Sequence, residues 1–133
     1  MKMEAFDYSC QHMVKALRKE RVGGTCFFNL CATGETMAQP DLIPLVKGLL
    51  QEGHYVSITT NGTLSDKYDK LIDACKDLLS HLHVAFSLHY VELKKHRWIE
   101  RYFDNVIKMR NAGASILVQI NLCDDYIPYF LFL

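Results

Sequence analysis

The stretch HYVSITTNGTLSDKYDKLIDACKDLLSHLHVAFSL, residues 54–88, decides the fold. It opens with a β-prone run, residues 54–60, which Asn61 and Gly62 break because both residue types tolerate positive φ. Ser65 then caps a helix in which Tyr68, Leu71, Ile72, Cys75, Leu78 and Leu79 recur at helical spacing, the cleanest amphipathic stripe in the chain. A second β-prone run follows at residues 82–88. Strand, helix and strand joined by connections of a few residues make a βαβ unit with parallel strands.

The same unit extends in both directions. Upstream, Cys10, Met13, Val14 and Leu17 fall on one face of a helix expected over residues 9–20, which Gly23 and Gly24 stop. TCFFNL, residues 25–30, is the first strand. Pro40 and Asp41 open a helix with Leu42, Leu45, Val46, Leu49 and Leu50 inward and Gly53 as its stop, and Pro44 makes its first turn irregular. Downstream, a polar loop leads to a helix with Ile99, Tyr102, Phe103, Val106 and Met109 inward and Gly113 at its end. Residues 115–121 form the fourth strand, and Pro128 marks the start of a further helix that the sequence does not complete. The order is α followed by β-α-β-α-β-α-β with nearly continuous apolar strands, the pattern of a parallel sheet built from right-handed crossovers. An open doubly wound sheet and an arc of a β/α barrel both satisfy it, and both place ligands at the carboxyl ends of the strands.

Composition narrows the class. The 133 residues make one domain, half of them hydrophobic and 23% charged, with only 7 Gly and 3 Pro, so the chain folds into a globule. Fifteen Lys plus Arg balance fifteen Asp plus Glu. No basic excess calls for nucleic acid or an anionic membrane, and so little net charge on a small domain is a first hint that some of its surface is normally covered. No run approaches the ~18 apolar residues of a membrane span. The amino terminus, MKMEAFDYSCQHM, lacks the apolar core of a signal peptide, so a cytoplasmic protein is the expectation. Cys10, Cys26, Cys31, Cys75 and Cys123 are odd in number and irregular in spacing, without a CxxC pair. They read as reduced thiols and not as a disulfide framework or a zinc site.

Small and polar residues gather at the strand ends: CATGET after the first strand, TTNG after the second, SLH after the third and NLCDD after the fourth. Gly34 lets a backbone approach a ligand, and Glu35 beside it can take a cation, although taken alone it reads as a solvated loop carboxylate. Asn61 and Gly62 alone read as a turn. Ser87 and His89, two apart, point to the same side, and a histidine there is either a hydrogen-bonded structural residue or a proton donor. The basic KKHR at residues 94–97, flanked by Glu92 and Glu100, reads as a solvated helix entry.

Taken together, TGET after one strand, GHYV leading into a strand that ends TTNGT, and SLH after the third resemble the radical SAM enzymes over nearly the whole chain. FSLHYVEL (residues 86–93), YFDN (102–105) and NAGAS (111–115) carry the likeness further. The resemblance implies a single partial (β/α) barrel domain over residues 1–133, with four parallel strands and outer helices. It also implies S-adenosylmethionine on a [4Fe-4S] cluster in the full-length parent, cleaved to a 5′-deoxyadenosyl radical that takes hydrogen from a small-molecule or peptide substrate. Carried over residue by residue, Gly34 and Glu35 meet the methionine ammonium and Thr60 and Asn61 line the barrel mouth. Ser87 and His89 approach ribose or substrate, and Gln119 and Asn121 contact ribose or adenine.

Two departures qualify it. The family's GlyGlyGluPro pattern stands as Thr33, Gly34, Glu35 and Thr36, and the CxxxCxxC cluster loop is absent. The expectation is a fragment whose first barrel strand and cluster loop precede residue 1 and whose last strand follows residue 133; the closing FLFL run suits such a boundary, and this chain alone is expected to hold no cluster. Its two open sheet edges, with Phe27, Phe28, Ile116 and Val118 bared on the barrel interior, invite self-association. An open nucleotide-binding module and a noncatalytic partner-binding domain are the rival readings. Against the first, Gly23 and Gly24 precede a strand where a phosphate loop would open a helix.

Overall fold

A computed structural model describes residues 5–130 of the chain. Four strands, β1 (Phe27–Leu30), β2 (Tyr55–Thr60), β3 (Leu82–Ser87) and β4 (Ser115–Gln119), form one sheet in chain order. Every neighbouring pair is parallel. The helices are α1 (Cys10–Ala16), α2 (Lys19–Val22), α3 (Leu42–Gln51), α4 (Ser65–Ala74), α5 (Tyr90–His96), α6 (Ile99–Ala112) and α7 (Ile127–Phe130). The result is an open arc and not a closed barrel; because no strand crosses back past β1, the doubly wound alternative does not describe it. No helix among the described residues is long and apolar enough to cross a membrane.

Alternation along the strands sorts the sheet into two sides. On one side Phe28, Leu30, Val56, Ile58, Leu82, Val84, Phe86, Ile116 and Val118 join a single hydrophobic core with residues of the helices. The five leucine and valine positions expected inward on α3 are all buried. On the other side the register lines up Phe27 with Tyr55 and, above them, Asn29, Ser57, His83 and Ser115 in one row across all four strands. Thr59, Ala85 and Leu117 form the next row, and Ser87 stands beside Gln119. None of this second side joins that hydrophobic cluster, although Ser57 and Ala85 are buried. That corrects the expected inner face: Phe28, Ile116 and Val118 pack under the helices, and of the four residues named only Phe27 is bared, at 63% exposure.

Contacts between residues distant in sequence account for other departures. The first helix breaks at Leu17 and Arg18, although periodicity carried it to residue 20. The cause is His54, fully buried: its Nδ1 accepts from the Cys26 N–H at 3.0 Å, so its proton sits on Nε2, which donates to the Leu17 carbonyl at 2.8 Å. Ser65 begins α4 instead of capping it, and its hydroxyl oxygen accepts from Asn105. On α6 the inward positions are Tyr102, Asn105, Val106 and Met109, while Phe103 is 39% exposed. The loop expected after β3 is largely α5, with the KKH of the basic run in its last turn, where cations suit the helix dipole. The helix at Pro128 does form as one turn, and most of the closing FLFL run lies outside the described residues.

Burial pushes the Cys75 thiol from 9.0 up to about 11 and raises the Tyr68 and Tyr102 phenols as well. Between those values the unfolded chain releases protons that the folded chain keeps, so unfolding stability falls as pH rises. Urea melts from pH 8 to pH 11 are expected to show that decline, and Cys75→Ala should make it shallower. A flat profile over this range would contradict the burial of these groups.

Candidate functional site

A cavity of about 340 Å³ opens at the carboxyl ends of β1, β2 and β3, and residues Gly34, Glu35, Thr60, Asn61, Ser87 and His89 line it. Six of the eight residues singled out in the sequence therefore stand together. The other two do not line it: Gln119 lies beside Ser87 in the sheet register and its carbonyl accepts from the Leu88 N–H at 2.7 Å, while Asn121 is exposed beyond β4.

The loop after β1 is closed by Thr36, buried, whose hydroxyl accepts from the Ala32 N–H at 3.0 Å. Gly34 takes φ +102° there with open space around its missing side chain, a backbone that other residues adopt only with strain. Glu35 follows as the lead-in to a 3₁₀ turn over Thr36–Ala38. Its Oε1 accepts from the Met37 N–H at 2.9 Å and from the Thr60 hydroxyl at 2.5 Å, and its Oε2 accepts from the Asn61 N–H at 2.7 Å. Of the carboxylate's roughly four acceptor sites, three are occupied by neutral donors and the remaining one is on Oε2. None of the ion pairs among the described residues involves Glu35.

Proton directions in this network follow from counting. Thr60 has one hydroxyl hydrogen and gives it to Glu35, so the Tyr68 hydroxyl, 2.7 Å away, must donate to Thr60. Burial, chiefly, raises the Tyr68 phenol, which keeps it a donor. Thr60 also accepts from the Gly62 N–H, so its hydroxyl is saturated. The Asn61 side-chain oxygen accepts from the Thr63 N–H and hydroxyl, which leaves its backbone N–H as its contribution to Glu35. Across α6, Asn105, buried, donates at 2.8 Å to the Gly62 carbonyl and pins the turn from beneath.

Sequence reasoning missed the supporting residues Tyr68, Thr36 and Asn105. Tyr68 looked like one more core position on its helix. A buried-face asparagine on α6, at the end of the YFDN motif, was the one signal that pointed at Asn105.

Ser87 and His89 sit across the cavity from Glu35, with His89 as the lead-in residue of α5 and also lining a second hollow of about 280 Å³ that holds Trp98 and His96. The cysteines do not converge: Cys31 lies at this cavity, Cys26 precedes β1, and Cys10, Cys75 and Cys123 lie elsewhere. No group of three His, Cys, Asp or Glu among the described residues could hold a metal ion. The residues present do not fit a [4Fe-4S] cluster, whose irons are held by converging thiolates. They fit a cationic group better, because a fixed carboxylate that forms no ion pair among the described residues lines an open cavity. No protein-family model matches the chain, and no curated protein matches it.

Proposed function

We propose that the chain is the S-adenosylmethionine-binding part of a radical SAM enzyme, with Glu35 receiving the ammonium of the methionine half. The observation that carries this reading is the Glu35 carboxylate, held in one orientation by Thr60, Asn61 and Met37, with one acceptor site left and no ion pair among the described residues. An ammonium supplies the missing charge and a hydrogen-bond donor together. Hydrogen abstraction needs a cluster that these cysteines do not hold, so what is proposed for this chain is binding, with thiolates from another segment or chain. The sheet is suited to receive further strands or a second copy at its β1 and β4 edges. A noncatalytic binding module on the same scaffold is the second reading, favoured by the dispersal of the thiols.

Titration calorimetry with S-adenosylmethionine, S-adenosylhomocysteine and methylthioadenosine tests the reading. The first two carry the ammonium and the third does not. A hydrogen bond to a charged group contributes about 1.5–3 kcal/mol, so Glu35→Gln is expected to weaken the first two by roughly ten- to a hundredfold and leave methylthioadenosine unchanged. Glutamine keeps one acceptor oxygen, and a thermal melt reports whether the turn survives. Equal affinities in parent and variant, or no binding by a folded parent, would remove Glu35 from this role.

A further inference from the structure

The side of the sheet without helices is neither a core nor an ordinary solvated surface. Not one of its strand side chains is Asp, Glu, Lys or Arg, although the chain carries fifteen of each sign. Charged residues make up about 25% of a typical domain and lie mostly on its surface. A barrel interior filled for stability would carry layers of Val, Ile and Leu, yet the central row here is Asn29, Ser57, His83 and Ser115. That row spans three inter-strand gaps, roughly 14 Å. Within it the His83 Nδ1 and the Ser115 hydroxyl are 3.0 Å apart.

Its shape is a trough. Ser57 and Ala85, small and central, are only 5% and 7% exposed, whereas Phe27 and Leu117 on the flanking strands stand out at 63% and 46%. Thr59 and Ser87 belong both to this side and to the strand-end cavity, so the trough runs on from that cavity. At its other end the exposed ring of Tyr55 is held flat against His81, with centroids 4.1 Å apart and planes at 10°, next to Phe27.

From this juxtaposition we propose that the uncovered side of the sheet binds a neutral, hydroxyl-rich ligand, a saccharide. A face without Asp, Glu, Lys or Arg suits an uncharged ligand, since no carboxylate, ammonium or guanidinium is stripped of water on contact. Serine, threonine, asparagine and glutamine side chains both donate and accept, which matches hydroxyl groups that do the same. The fixed ring of Tyr55 and the ring of Phe27 offer flat apolar surface for the C–H face of a sugar. A second copy is a poorer occupant, because two such faces pressed together would bury polar rows against each other. The proposal stands independently of the ammonium site at Glu35.

The test is a ¹⁵N–¹H correlation titration of the full chain with maltotriose and with cellotriose, alongside galacturonic acid trimer as the charged counterpart. At least one neutral trisaccharide is expected to shift the amides of Ser57, His83 and Ser115 at millimolar concentration, and the charged trimer is not. Ser57→Leu fills the trough, and Ser115→Asp, at an exposed position, places a charge on it without disturbing the core. Each should weaken binding at least tenfold while leaving S-adenosylmethionine titration unchanged. No shift with either neutral trisaccharide, shifts confined to other surfaces, or light scattering that shows a dimer protecting these amides would each overturn the proposal.

Discussion

Gly62→Ala is expected to remove about 2–5 kcal/mol of the chain's stability. At φ +79° an alanine is strained, and its Cβ would lie 2.5 and 2.7 Å from the ring carbons of Tyr102 and 3.1 Å from Phe86. Both rings are fully buried and pack edge to face, so neither can swing away as a flexible chain end would. The left-handed backbone costs about 1–2 kcal/mol and the overpacking about 1–3 more. A total of that size is a large share of the ~5–15 kcal/mol that holds a domain together. Urea titration measures it, and a variant within about 1 kcal/mol of the parent would mean that the Tyr102 ring is not fixed there. Any folded residue of the variant should also lose ligand at Glu35, since the Asn61 N–H belongs to the same turn.

The second large effect is expected at His54. Alanine there leaves the Cys26 N–H and the Leu17 carbonyl without partners and opens a cavity beside Phe28, whose ring meets the imidazole edge to face at 5.0 Å. Two orphaned, partly buried groups cost up to about 1–3 kcal/mol each, before the cavity is counted. His54→Ala should therefore destabilise by roughly 3–5 kcal/mol. His54→Gln, which can still donate and accept, should recover part of that loss. Equal destabilisation by the two variants would show that the imidazole fills space and that its hydrogen bonds are unimportant.

The strands and most helices could be read from the chain because they rest on local periodicity. α3 is the clearest example: every leucine and valine assigned inward is buried. What escaped reading depends on partners distant in sequence. The break after Ala16 exists because His54 takes the Leu17 carbonyl, and no pattern within the first helix reports that. Phe103 looked like core and Asn105 did not, yet the turn at Gly62 needs a buried amide more than α6 needs a second ring. Glu35 was visible as a carboxylate beside a glycine, but its orientation comes from Thr60 and Asn61 on the next strand. The two sides of β1 were confused for a simpler reason: Phe27 and Phe28 are chemically alike, and only the register says which one meets the helices.

Since chain neighbours are also sheet neighbours, the order in which the protein can fold follows the order in which it is made. No two strands are joined by a hairpin, so each pairing must wait for the whole crossover between them, and the entropy of closing that loop makes such steps slow. Emerging from a ribosome, the chain can lay down β1, β2 and β3 one after another at a growing edge without threading. The turn at Gly62 is different, because the amide that secures it arrives only with α6, after the third strand is in place. A nascent chain halted before residue 105 would thus own most of its sheet while the loop that orients Glu35 still lacked its anchor. Assembly of the cavity is therefore expected late in folding, coupled to the docking of a helix that supplies none of the residues lining it.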